Sequence, residues 1–93
     1  MPSVVIHGVI GDGSDNEAPP RFGVTVSKAV GGSVVRHRVA RQIRHAIAVK
    51  IPRVPPGSRW VIRALPAAAS GNVAKDVEAG LDQALAHTSR VEQ

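Results

Sequence analysis

The chain has 93 residues and no cysteine, so it forms one small unit that neither a disulfide framework nor a thiolate metal site can support. Its net charge is +5, and no apolar run reaches the ~20 residues needed to cross a bilayer. With an N-terminus that lacks the charged start of a signal peptide, this points to a soluble, cytoplasmic protein with no membrane partner.

The first predicted element is VVIHGVI (4–10), short, β-branched and apolar, which reads as a strand. A turn-rich connection, GDGSDNEAPP, leads to RFGVTVSK (21–28). There Phe22, Val24 and Val26 alternate with Thr25 and Ser27, the pattern of a half-buried strand expected to lie antiparallel to the first. The glycines of AVGGS end it, and Ser33 is the expected N-cap of a helix over residues 34–49. At about 100° per residue, Val35, Val39, Ile43, Ala46 and Ile47 form one stripe of that helix. Arg38, Arg41, Arg44, His37 and His45 spread over the opposite side, with Arg36 near the stripe. IPRVPPG stops the helix.

SRWVIRALP (58–66) reads as a third strand, with Trp60, Ile62 and Ala64 facing opposite to Val61 and Leu65. From Asn72 the spacing of Val73, Val77, Leu81, Ala84 and Leu85 is again helical, and the tail after His87 is expected to fray. The order strand, strand, helix, strand, helix predicts an α+β two-layer sandwich, one sheet of three or four strands with two helices packed on it.

Charge is divided sharply along this chain. Acids occur at Asp12, Asp15 and Glu17 and then at Asp76, Glu78, Asp82 and Glu92. Residues 18–71 hold ten of the twelve basic residues and no acid. A segment of one sign attracts polyanions, and arginine, whose planar fork matches phosphate, dominates it. Nucleic acid is therefore the expected partner. Catalytic chemistry is sparse by comparison. The histidines at 7, 37, 45 and 87 have no metal-pair spacing, no phosphate-loop motif occurs, and neither Ser27 nor Ser33 has a base partner in the sequence. The chain reads as a binder with no catalytic residue and no metal or cofactor of its own.

Over RFGVTVSKAVGGSVVRHRVARQIRH the sequence resembles the bacterial ribonuclease P protein component. That family's signature is a strand reading R-x-G-x-x-V-S-K, a glycine turn, and a helix with R-N-R-x-x-R-x-x-R. Arg21, Gly23, Val26, Ser27 and Lys28 match the strand, Gly31 the turn, and Arg36, Arg38, Arg41 and Arg44 the helix. VIRALP is similar to the family's next strand, and the resemblance covers residues 4–88 of a single RNA-binding domain.

The resemblance implies the protein subunit of a ribonucleoprotein that removes the 5′ leader from precursor tRNA, an endoribonuclease whose RNA subunit performs the hydrolysis with Mg2+. It implies that the arginine helix docks on the ribonuclease P RNA while the sheet face forms a cleft for the leader. It also implies a left-handed crossover between parallel strands flanking that helix. The expected RNA-binding residues are Arg36, His37, Arg38, Arg41, Arg44, His45, Lys28 and Arg21.

Several positions depart from the family pattern. His37 stands where the motif has asparagine, Ala40 and Gln42 where basic residues are common, Ala29 where a second lysine follows the strand, and Val24 where an aromatic is frequent. The family's helix before the first strand, which bears aromatic residues, has no counterpart in the sequence ahead of VVIHGVI; Phe22 and Trp60 are the whole aromatic complement. A DNA-binding helix-turn-helix is disfavoured because a strand and VGGS occupy the place of its first helix. A ribosome-associated or general RNA-binding protein of the same fold, or a truncated inactive relative, remain the alternatives.

Overall fold

The computed structural model describes residues 3–9 and 18–91, with side chains to residue 86. Its elements are β1 (Val4–Val9), β2 (Arg21–Val26), helix α1 (Ser33–Lys50), β3 (Arg59–Ala64) and helix α2 (Val73–Val91), with short 3-10 turns at Ile51–Arg53 and Pro66–Ala69. This is the α+β sandwich that the sequence predicts, with a three-stranded sheet. The Asp12–Glu17 acids and Ile10 lie outside the described residues.

The strand order is β1-β3-β2. β3 pairs antiparallel with β1, Ile6 facing Ile62, and parallel with β2, Val24 facing Ile62. β1 and β2 thus run in opposite directions as expected, but they do not form a hairpin, because β3 separates them. The centre goes to the strand with the most complete apolar row. Trp60, Ile62 and Ala64 are 3%, 0% and 3% exposed, whereas β1 and β2 bury their rows only in part. Burying a large apolar side chain is worth about 1.5–3 kcal/mol, so this row gains most where strands flank it on both sides.

Two helices cover one face of the sheet, α1 against β2 and α2 against β1. Val39, Ile43, Ala46 and Ile47 of α1 meet Val73, Val77, Leu81 and Leu85 of α2 over the central strand, in one core. α2 approaches β1 most closely at Gly80, where an added Cβ would stand 2.7 Å from Ile6 Cδ1. Gly8 has a similar role opposite Trp60, since a Cβ there would fall 2.3 Å from the indole ring. The indole Nε1–H donates to Ser58 Oγ at 2.8 Å, and that hydroxyl donates to the Pro55 carbonyl at 2.6 Å. Phe22 stacks on Trp60 with ring centroids 6.2 Å apart. Both aromatics therefore belong to the core. Gly57, at φ 78°, makes the left-handed turn into β3.

Helix boundaries differ slightly from the sequence reading. Gly32, not Ser33, is the N-cap of α1, and no side chain caps that end. α2 starts beyond Asn72, whose Oδ1 accepts the Lys75 backbone N–H at 3.2 Å. Its backbone is helical to Val91.

Candidate RNA interface

The inner stripe of α1 fixes what its outer side presents. With Val39, Ile43, Ala46 and Ile47 held in the core, the 3.6-residue period turns His37, Arg38, Arg41, Arg44 and His45 outward, and all five are exposed. Five of the eight residues expected to bind RNA thus share one helical surface. Lys28, exposed in the turn after β2, leads into the N-terminal end of α1.

Not all of these arginines are equally free. Arg38 Nη2 donates to the Ala69 carbonyl at 2.8 Å, which anchors one branch of the guanidinium on the turn before α2 while the residue stays exposed. Arg36 lies on the buried side of the helix. It is half-buried, and its Nε is enclosed without a hydrogen-bond partner among the described residues. Arg36 is thus partly packed away, whereas Arg41 and Arg44 are exposed with no ion pair among the described residues.

The described acids all lie on α2, and two of the three are engaged. Asp76 accepts a hydrogen bond from the Ser3 hydroxyl. Asp82 bridges Lys50 at 3.0 Å and Arg53 at 3.2 Å, closing the C-terminal end of α1 and the following turn onto α2. Among the described residues, neutralisation is confined to that end, and the middle of α1 keeps its charge.

Arg21 is separated from the others. It begins β2 on the sheet face opposite the helices, in register with Arg59 of β3. That second face presents Arg21, Gly23 and Thr25 beside Arg59, Val61 and Arg63, with His7 and Val9 on β1, all exposed. Arg59 and Arg63 are absent from the sequence-derived set. The alternation of RWVIRA, exposed and buried by turns, was the signal that could have placed them there. The molecule therefore carries two basic surfaces, one on each layer. Among the described residues no three metal-ligating side chains gather, and no helix is long and apolar enough to cross a membrane.

Comparison with known proteins accounts for this arrangement. The family model described as Ribonuclease P matches residues 3–89. The ribonuclease P protein component of Mycobacterium sp. (strain KMS) is 45% identical over 75 residues, 81% of this chain and 62% of the relative. That of Streptomyces griseus is 40% identical over 97 residues, 96% of this chain and 79% of the relative. The chain thus spans less than two thirds of the length of the mycobacterial protein. A solved structure of the Staphylococcus aureus RNase P protein has the same fold, with a TM-score of 0.70 over 95% of this chain and 76% of that one, at 20% identity. With the family match running through both basic surfaces and the core between them, the chain belongs to the ribonuclease P protein family.

Proposed function

We propose that this chain is the protein subunit of a ribonuclease P ribonucleoprotein, docking on the catalytic RNA through α1 and assisting removal of the 5′ leader from precursor tRNA. The observation that carries this reading is the outer side of α1, where Arg41 and Arg44 stand exposed, with no ion pair among the described residues, in the arginine spacing of the family. An arginine fork bonds two phosphate oxygens at once, and several on a rigid helix read the shape of a folded RNA. Arg38, held by Ala69, and Arg36, partly packed away, would lose little freedom on docking. His37, His45 and Lys28 would extend the same surface.

Catalysis is assigned to the RNA subunit and its Mg2+ ions, which are read as ligands of the RNA. The open face of the sheet, with Arg21 at its edge, would receive the single-stranded leader on the side away from the docking helix.

The test is reconstitution with the ribonuclease P RNA of the same bacterium. The protein alone should leave precursor tRNA intact, and together with the RNA it should lower the Mg2+ needed for cleavage. Arg41→Ala with Arg44→Ala should change stability by less than about 0.5 kcal/mol. The same variant should weaken RNA-subunit binding and flatten its salt dependence by about one log unit per lost phosphate contact. Unchanged affinity and salt slope would place the docking surface elsewhere.

A further inference from the structure

The last turn of α1 leaves an apolar surface in contact with water. Val49 and Ile51 are 52% and 42% exposed, and Ala48 and Pro52 are exposed beside them. Helical spacing joins these residues to the basic side of the helix. Ala48 follows Arg41 by seven residues and Arg44 by four, and Val49 follows His45 by four. Ile51 follows Arg44 by seven. Its backbone is still helical, at φ −51° and ψ −42°, and its N–H donates to the Ile47 carbonyl. The outer side of α1 thus changes in kind along its length, from guanidinium and imidazole to hydrocarbon.

A single exposed apolar side chain is ordinary on a protein surface, but here the neighbouring charge is withdrawn as well. Lys50, the one polar residue of 48–52, turns to α2, where its Nζ lies 3.0 Å from Asp82 and its side chain is 16% exposed. Arg53 pairs with the same carboxylate at 3.2 Å. This end of the helix is also held in place, since Val54, 6% exposed, donates its N–H to the Ile51 carbonyl at 2.9 Å. A partner would meet a preformed hydrocarbon surface there and lose little affinity in ordering it.

Whatever covers this end must also meet Arg41 and Arg44, within about 15 Å along the same side, ten residues at 1.5 Å each. A second copy docked through its own α1 would set arginine against arginine. Folded RNA offers both surfaces at once, phosphates to the guanidinium forks and the faces of unpaired bases to hydrocarbon. We infer that Ala48, Val49, Ile51 and Pro52 seat an unpaired base of the ribonuclease P RNA, a contact that adds affinity without releasing counterions. The seat rests on the subunit reading for its occupant. Its role differs from that of the arginines, because it sets the affinity that remains when salt screens the charge.

Titration of the RNA subunit across a range of salt separates the two contributions. Val49→Ser with Ile51→Ser should melt close to the wild type, since exposed substitutions change stability little. It should bind about tenfold more weakly at every salt concentration, the loss expected when about 55 Å² of apolar contact stays wet, with the salt slope unchanged. Val49→Ser alone should lose about threefold, which keeps the test open should the pair unfold. Val49→Ile with Ile51→Val, which preserves the hydrocarbon, should bind as the wild type does. Base-modifying reagents on the RNA subunit should find an unpaired base that the wild type protects and the serine pair leaves reactive. Weaker binding with no such base would overturn the seat. So would serine variants that bind RNA as tightly as the wild type while Arg41→Ala with Arg44→Ala flattens the salt slope by about two, which would leave the apolar end to a protein partner. A lowered salt slope in the serine variants would overturn it too, by showing that this end only orients the charges. If the arginine pair and the serine pair both bound unchanged, the docking reading itself would fall, and the seat with it.

Discussion

The two helices are nearly equal in length, 18 and 19 residues, and lie on the same face of the sheet. Their inner sides are alike, each with four buried apolar residues at helical spacing. Their outer sides and their ends are opposite. α2 begins with an Asn72 cap, carries Asp76 in its first turn and goes on through Glu78 and Asp82. α1 begins at Gly32 with no side-chain cap, has no acid in its first turn and carries none along its length. A cap and a first-turn acid each stabilise a helix by about 1 kcal/mol or less. α1 lacks both, so its stability must come from the packed stripe. The inner side of a helix here builds the fold, and the outer side of α1 carries exposed basic residues with no acid on the same helix.

The comparison is broken most severely by attacking the stripe itself. Ile43 is fully buried in the core shared by both helices. Ile43→Ala should cost about 2–5 kcal/mol, which a domain of this size can barely absorb. Chemical denaturation should show the loss directly. RNA binding should fall only in proportion to the unfolded fraction, with the salt slope of the folded remainder unchanged. A flattened slope in folded protein would mean that the stripe also shapes the contact surface.

How much of this was legible in the sequence follows from the range of each signal. The α1 stripe and the alternation of β2 and β3 are local periodicities, and the structure reproduces them residue by residue. Strand order is not local. Nothing in the spacing of VVIHGVI and RFGVTVSK shows that a strand from residues 59–64 will come between them, and neighbouring strands in sequence suggest a hairpin. The N-cap shifted by one residue because glycine and serine both suit that position. The anchor of Arg38 on the Ala69 carbonyl was hidden, since a backbone acceptor 31 residues away leaves no mark in the sequence. Arg59 and Arg63 stand outside the sequence-derived set for another reason, although Arg63 is as plausible an RNA contact from sequence as Arg21. The clustered arginines of α1 drew the charge argument toward one helix, whereas a strand distributes its exposed residues at every second position.

A smaller effect sharpens the contrast between the helices where, among the described residues, their charges meet. Asp82 engages Lys50 and Arg53, and its side chain is 43% exposed. In so wet a setting the pair contributes little, and Asp82→Ala should lower stability by about 1 kcal/mol or less. RNA-subunit affinity should rise at low salt and its salt dependence should steepen, because two cations are released at the C-terminal end of α1. Weaker binding in this variant would show that the bridge orients α1 for docking, and that holding the helix in place matters more than the charge it masks.

The smallest predicted effect lies at the other end of α1, where the missing cap can be restored. Gly32 sits at φ −72° and ψ 178°, extended backbone that any residue adopts, and a Cβ there meets nothing within 4 Å. Gly32→Ser should therefore supply a cap without a clash and raise stability by a few tenths of a kcal/mol. Gly32→Asp should do the same, with a further ~0.3–1 kcal/mol from the carboxylate against the positive end of the helix dipole. The two variants part company on RNA. Serine is neutral and should leave binding unchanged, whereas aspartate sets a negative charge beside Lys28 and the first turn, where phosphates are expected. Thermal melts paired with RNA-subunit titrations at low and moderate salt should give two stabilised proteins, of which only the aspartate variant binds more weakly. Equal binding by both would place the N-terminal end of α1 away from the RNA and remove Lys28 from the docking surface, leaving Arg38, Arg41 and Arg44 to carry it.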